Sequence, residues 1–249
     1  MTRKLVAALA CRNNGTRLYG KPMQRLDKHR TILEQIISSI KLLPVIDEIV
    51  LGISEGSDNA IFVEVAQHHR ISYIHGDPKD VLMRLVQCGR LSGATDIFRV
   101  TTECPWFVHE LVKPLWDLHL AEGNDITVCD QYPEGLNFEI YTIESLERSH
   151  AKGSAIDRSE FCSTYPRKHP KEFKIRVELP PPSLRRLDQR VTVDNPEDLI
   201  LCRAIAEHFT NDLPLLSAGK IIAFIDSRPD LQALVQPYVV PEILWNVFD

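Results

Sequence analysis

Short apolar runs that alternate with helical stretches of similar length constrain this chain more than any other feature. The first run, Lys4 to Ala10, is continuously apolar after its lysine rather than alternating. A strand that reads this way is buried on both faces, inside a sheet covered by helices on each side. Residues 31–43 follow, with apolar side chains at 32, 33, 36, 37 and 40, and Pro44 ends the run. That spacing is one face of a helix, and proline cannot continue it. The alternation predicts further strands at 46–53, 71–74 and 96–100 and helices at 60–68, 79–91 and 106–120. Asp77-Pro78 supplies a helix start and Gly93 a stop. Strand and helix in regular turn predict an α/β fold with a mostly parallel sheet.

The pattern changes after about residue 124. Strands are expected at 126–129, 137–141 and 173–179 with less helix between them, and Pro180, Pro181 and Pro182 make a stiff break. Residues of about 130–190 are therefore expected to form a small β-rich lobe inserted into the sheet domain. A late strand at 190–193 leads into Asn195-Pro196-Glu197-Asp198, a strong helix start with acids against the helix dipole. Residues 215–249 carry helical spacing at Ile221, Ile222, Phe224 and Ile225, then an apolar tail, Val239 to Trp245, expected to pack on the domain or on a second subunit. With 249 residues, 44% of them hydrophobic, the chain reads as one domain, 1–249.

Bulk properties exclude several classes. A net charge of −5 argues against general nucleic-acid binding, which calls for a basic surface. No stretch approaches the roughly 20 apolar residues of a membrane span, so a cytoplasmic, soluble protein with no membrane partner is expected. Six cysteines without a CxxC pair read as reduced, buried thiols. HExxH does not occur, which removes a zinc-protease reading. Trp106, Trp116 and Trp245 are expected as core or dimer contacts.

Four segments carry residues fit for chemistry. The loop Cys11 to Pro22 follows the first strand, and in an open α/β sheet ligands bind at the carboxyl ends of strands. Its two glycines, Arg12, Arg17 and Lys21 suit a triphosphate: glycine lets backbone N–H groups approach the oxygens and the cations offset their charge. It is not a Walker A loop, because Pro22 follows Lys21. Arg99 to Pro105 presents Glu103 at a strand end, and Arg190 to Asp198 presents Asp194 in the same way. If the two converge they make a two-carboxylate Mg²⁺ site, since Mg²⁺ is held by one or two carboxylates plus phosphates and water. Asp80 and Arg84 are four apart on a predicted helix and are expected to face each other as an ion pair.

In this order these segments resemble the cytidylyltransferase family that includes CMP-Kdo synthetases, acylneuraminate cytidylyltransferases and SpsF-like spore-coat polysaccharide proteins. Arg12, Thr16, Arg17, Leu18, Gly20 and Lys21 fall on the family's RxxSTRLPGK signature. Gly76 to Arg84 is similar to its GxxxDVLxR segment, Arg99 to Pro105 to RxTGDCP, Pro133 to Glu139 to PDGLDVE, and Thr192 to Leu199 to TVDxPEDL. The resemblance covers roughly residues 3–205.

It implies a Rossmann-like nucleotide-diphosphosugar transferase fold and a homodimer formed through the inserted lobe. It implies transfer of CMP from CTP, with Mg²⁺, to a small anionic acceptor such as an acidic sugar, a sugar or polyol phosphate, or a phosphonate. Ala10, Arg12, Asn14, Gly15, Thr16, Arg17, Lys21, Asp80 and Arg84 would bind the nucleotide, with Arg12 and Lys21 catalytic. Glu103 and Asp194 would hold the metal, and Asn137 and Glu139 would face the acceptor. Gly15 stands where the family has serine, Tyr19 where it has proline, and Thr102-Glu103 where it has Gly-Asp. A nucleotide-sugar-dependent glycosyltransferase and a catalytically silent nucleotide-binding homologue are the alternatives.

Overall fold

The computed structural model describes residues 3–160, 162–241 and 243–245. A seven-stranded sheet runs through it in the order β3-β2-β1-β4-β6-β5-β7. The strands are β1 (Leu5–Cys11), β2 (Glu48–Ser54), β3 (Ser72–Gly76), β4 (Asp96–Arg99), β5 (Ile126–Cys129), β6 (Phe138–Thr142) and β7 (Ile175–Glu178). β1 pairs in parallel with β2 and β4, and β2 with β3. β6 runs antiparallel between β4 and β5, and β7 is parallel to β5. The expected α/β class with a mostly parallel sheet is what the chain forms.

Helices α1 (Ile32–Ile40) and α2 (Ile61–His69) carry the chain outward from β1, and α3 (Val81–Ser92) carries it back to β4 on the other side. Order therefore reverses between β1 and β4, and the carboxyl ends of strands at such a reversal are where these sheets bind ligands in a crevice. Side chains alternate between two apolar layers, which is why β1 reads as continuously apolar. Leu5, Ala7 and Leu9 join the layer of α1, α2, α4 (Val112–Glu122) and α7 (Pro196–His208). Val6 and Ala8 join the layer of α3 and α5 (Ile143–Lys152).

Local chemistry sets the helix ends. Thr31 and Glu34 make a reciprocal capping box on α1, with Glu34 N–H donating to Thr31 Oγ1 at 3.2 Å and Thr31 N–H to Glu34 Oε2 at 2.7 Å. Gly93 ends α3 at φ +64°, a left-handed conformation that glycine adopts without strain.

Three expectations change. Residues 130–190 do not make a β-rich lobe of their own: β6 and β7 extend the central sheet, and β6 is buried along its whole length. The segment adds α5, the short helix α6 (Thr164–Lys168) and irregular chain around that sheet. The late strand at 190–193 is only an isolated bridge from Arg190 to Glu134. The helix expected from 106 begins at Val112, because Trp106, Phe107 and Val108 are buried from an irregular crossing segment rather than from a helix face.

After α7, helices α8 (Ala218–Asp226) and α9 (Pro229–Val235) pack back on the first layer. The tail then crosses to the opposite layer, where Trp245 is buried among Tyr165, Phe173 and Val128. Among the described residues no helix is long and apolar enough to cross a membrane.

Candidate active site

The loop after β1 is held at its base and open at its tip. Asn13 is buried, its N–H donating to Asn59 Oδ1 at 2.8 Å and its side chain to the Asp58 carbonyl. Gly20, at φ +61°, returns its N–H to the Asn13 carbonyl at 2.8 Å and closes the loop. Arg12, Asn14, Thr16 and Arg17 stand exposed between these anchors. A Cβ at Gly15 would collide with the Leu18 carbonyl oxygen, so the serine of the resembled family cannot stand here unless the loop opens. Asn13 and Asn59 carry no motif that marks them in sequence; their partnership exists only once the turn after β2 lies beside the loop.

Across the crevice the expected carboxylates meet. Val193 N–H donates to the Glu103 carbonyl at 3.0 Å, which places the Asp194 segment beside the β4 loop. Thr102 Oγ1 donates to the Ala10 carbonyl at 3.0 Å, tying that loop to the end of β1. Lys21 Nζ donates to Asp194 Oδ1 at 2.5 Å, and Arg17 lies 3.3 Å from the same oxygen. Arg190 holds the other oxygen, Oδ2, at 3.1 Å.

Burial acts to raise the Asp194 carboxyl, but the hydrogen bond and charge of Lys21, with Arg17 and Arg190, keep it below the usual carboxylate range. Glu103 behaves oppositely. Burial pushes its carboxyl up, the negative charge of Asp194 adds to that, and Lys21 only partly opposes it. Two carboxylates that feel each other, one already crowded by cations, are the donor set that a hard dication needs. Among the described residues no group of three or more metal-ligating side chains forms, so phosphate and water oxygens would have to complete the shell.

The expected Asp80–Arg84 pair does not form. Asp80 caps α3, accepting from Met83 N–H at 2.8 Å, and pairs with His150 Nε2 at 2.7 Å. An N-cap carboxylate turned onto its own helix end points away from a side chain one turn on. Arg84 is 1% exposed and donates from one nitrogen to the Cys11 carbonyl at 3.1 Å and the Gly52 carbonyl at 2.9 Å. It thus clamps the carboxyl ends of β1 and β2 together, directly under the loop. Desolvation lowers its pKa, and its Nε is buried without a partner.

Arg12 pairs with Glu160 at the surface. On the β4–β6–β5 edge, Glu139 is buried and takes Arg99 as an ion-pair partner. Asn137 Oδ1 accepts from Tyr132 N–H at 3.3 Å. Gly135, at φ +99°, lets this segment press on the chain ahead of α7: a Cβ there would lie 2.5 Å from Thr192 N. The segment carrying Asn137 and the segment carrying Asp194 are thereby locked together.

Sheet, switch point, basic loop and nearby carboxylates together make an α/β domain whose charged side chains gather at the carboxyl edge between β1 and β4. No protein-family model matches the chain. Its sequence is 23% identical over 227 residues to the spore coat polysaccharide biosynthesis protein SpsF of Bacillus subtilis, covering 89% of this chain and 94% of SpsF. It is 27% identical over 230 residues to an uncharacterized protein of Methanocaldococcus jannaschii, covering 92% and 93%. Its fold matches that of a cytidylyltransferase from Leptospira borgpetersenii with a TM-score of 0.79 at 20% identity, over 94% of this chain and 98% of that one. The sequence likeness to SpsF and the likeness in fold to a cytidylyltransferase thus each extend over nearly the whole chain.

Proposed function

We propose that this protein is a cytidylyltransferase that moves CMP from CTP to a small anionic, sugar-like acceptor and releases pyrophosphate. The observation that carries the reading is the meeting of Lys21, Arg17, Glu103 and Asp194 at the switch point between β1 and β4. Its likeness to SpsF and to a cytidylyltransferase fold supports the cytidylyl group and a role in polysaccharide precursors.

In this reading the triphosphate lies against the loop. Arg12, Arg17 and Lys21 neutralise it, and backbone N–H groups near Gly15 and Thr16 approach its oxygens. Glu103 and Asp194 would hold Mg²⁺, which when bound neutralises charge on the phosphates. An acceptor oxygen bonds to the α-phosphorus in line as the bond to the β-phosphate oxygen breaks, and pyrophosphate carries off the electron pair. The chain positions the partners and offsets the charge that grows on the leaving group. Asn137 and Glu139 face the acceptor, and Ala10, Asn14, Asp80 and Arg84 shape the nucleotide end. A homodimer formed through the segment between β6 and α7 belongs to the same reading.

The test is pyrophosphate release with each of the four nucleoside triphosphates and Mg²⁺, against acidic sugars, sugar and polyol phosphates and phosphonates. CTP-specific release that needs an acceptor and vanishes in Asp194→Ala establishes the reaction. Absence of release, with no Mg²⁺-dependent CTP binding by calorimetry, overturns it.

A further inference from the structure

The β4–β6–β5 edge is already occupied by the chain itself. Trp245 N–H donates to Asp130 Oδ2 at 3.0 Å, and its indole Nε1–H donates to Glu139 Oε1 at 3.3 Å. Arg167 holds the preceding carbonyl, that of Leu244, at 3.3 Å. Asp130 directly follows β5 and Glu139 lies opposite Arg99 at the start of β6, so the tail is seated at the carboxyl edge beside β4.

The Trp245 ring packs among Tyr165, Phe173 and Val128, but its two N–H groups both go to carboxylates, and the polar groups of this edge are incompletely satisfied. Gln131, next to Asp130, is 6% exposed, and its Oε1 is buried without a partner. It also takes φ +68°, a left-handed backbone that a non-glycine residue adopts only under constraint. Arg167 Nε is buried and unpartnered as well. A buried polar atom left unmatched costs more than an average hydrogen bond returns. A molecule with several hydroxyls would offer Asp130, Gln131 and Glu139 more donors than an indole does, and an anionic group on it would meet the Arg167 guanidinium rather than the carboxylates. The tail around Leu244 and Trp245 has no regular secondary structure, so lifting it breaks no helix or sheet ladder.

We propose that Leu244 and Trp245 are a self-occupant of the acceptor subsite. Trp245 covers Asp130 and Glu139 until an acceptor displaces it, and so sets acceptor affinity. The inference rests on the reading of this edge as the acceptor half of a cytidylyltransferase.

The test compares the full chain with Trp245→Phe, which keeps an aromatic ring but removes the donor, and with a chain ending at Val240. Two readouts are taken: pyrophosphate release with CTP, Mg²⁺ and the acceptor panel, and tryptophan emission titrated with the same panel. With an acceptor that turns over, both variants should lower its KM by about fivefold, the weight of one ordinary hydrogen bond, as suits a long contact. The KM for CTP should stay within about twofold, since Trp245 makes no contact with the nucleotide loop. The acceptor should shift the emission of the full chain to the red, and this shift should be absent in Trp245→Phe. Turnover only in the shortened chain also supports the inference. Unchanged or raised acceptor KM in both variants overturns it while leaving the reaction intact. If no chain turns over any panel member, the reaction reading fails; the tail is then judged on emission, and the inference falls if no panel compound shifts it.

Discussion

Lys21 and Asp194, 173 positions apart in sequence, meet as an ammonium and a carboxylate oxygen 2.5 Å apart. The contact bridges the loop after β1 and the turn ahead of α7, the two walls of the crevice. Lys21→Ala should lower kcat/KM for CTP by about 10²–10³-fold, the scale for losing one preorganised charge aimed at a developing anion. Stability should hardly respond. Both side chains are only 19% exposed, but Arg17 and Arg190 still neutralise Asp194 when Lys21 leaves, so the loss should be about 1 kcal/mol and Tm should move by no more than about 4 °C. Steady-state kinetics and a thermal melt on one preparation check both halves; a large fall in Tm would make Lys21 a structural residue.

Glu103 offers a pH test whose sign is fixed by its surroundings. Its folded pKa is raised because burial, with a smaller addition from Asp194, outweighs the attraction of Lys21. The folded chain therefore binds this proton more tightly than the unfolded chain, and the ionised form weakens the fold at neutral pH. Glu103→Gln should accordingly raise Tm at neutral pH. The gain should shrink as pH falls below the raised folded value and vanish below the ordinary glutamate value of about 4.3, where both states are protonated. The same substitution should abolish Mg²⁺-dependent turnover. Melts across that pH range, beside the pyrophosphate assay, test the pair of outcomes; a variant less stable at neutral pH would contradict the burial penalty on the ionised Glu103.

Alternation of apolar runs made β1 to β4 and the helices between them legible, because a strand covered on both faces must be apolar throughout. Glu103 and Asp194 were legible as acids at the ends of segments leading into the crevice. Their convergence was not, since it depends on the Val193 to Glu103 backbone hydrogen bond and on the close approach that Gly135 permits. The inserted lobe was misread for a related reason: a strand such as β6 carries no mark of whether it pairs in a new sheet or inserts antiparallel between β4 and β5. Asp80 and Arg84 show the limit of helical spacing, which puts two residues on one face but cannot exclude a cap or a pair of carbonyls as better partners.

That separation is measurable. With Asp80 turned to Met83 and His150, and Arg84 to the Cys11 and Gly52 carbonyls, a double-mutant cycle of Asp80→Asn and Arg84→Met should show little coupling, about 0.5 kcal/mol or less. The single changes should differ in kind. Asp80→Asn retains an N-capping side chain and loses only the charge facing His150, so it should be mild. Arg84→Met should cost about 1–3 kcal/mol by leaving two buried carbonyls short of a donor, and should raise the KM for CTP because the floor of the loop loosens. Urea unfolding of the four proteins gives the coupling directly; a value well above 1 kcal/mol would restore the direct pair.

Arg190 is the residue whose removal should do most harm, because its charge is buried with its partners. It is 4% exposed and reaches Asp198, 1% exposed, from Nε at 2.9 Å, as well as Glu134 at 3.0 Å and Asp194 at 3.1 Å. Removing one member of such a pair strands the other, at about 3–5 kcal/mol. Asp198 retains backbone donors in Asp194 N–H at 3.0 Å and Asn195 N–H at 2.8 Å, so Arg190→Met should fall near the lower end of that range. Adding Asp198→Asn removes the stranded charge and should return part of the loss. Activity should not return with it, since Asp194 would still lack the guanidinium that fixes its second oxygen in the crevice. Urea unfolding and pyrophosphate release on the single and double variants separate the two roles: recovery of both together would mean that Arg190 acts on the reaction only through the fold.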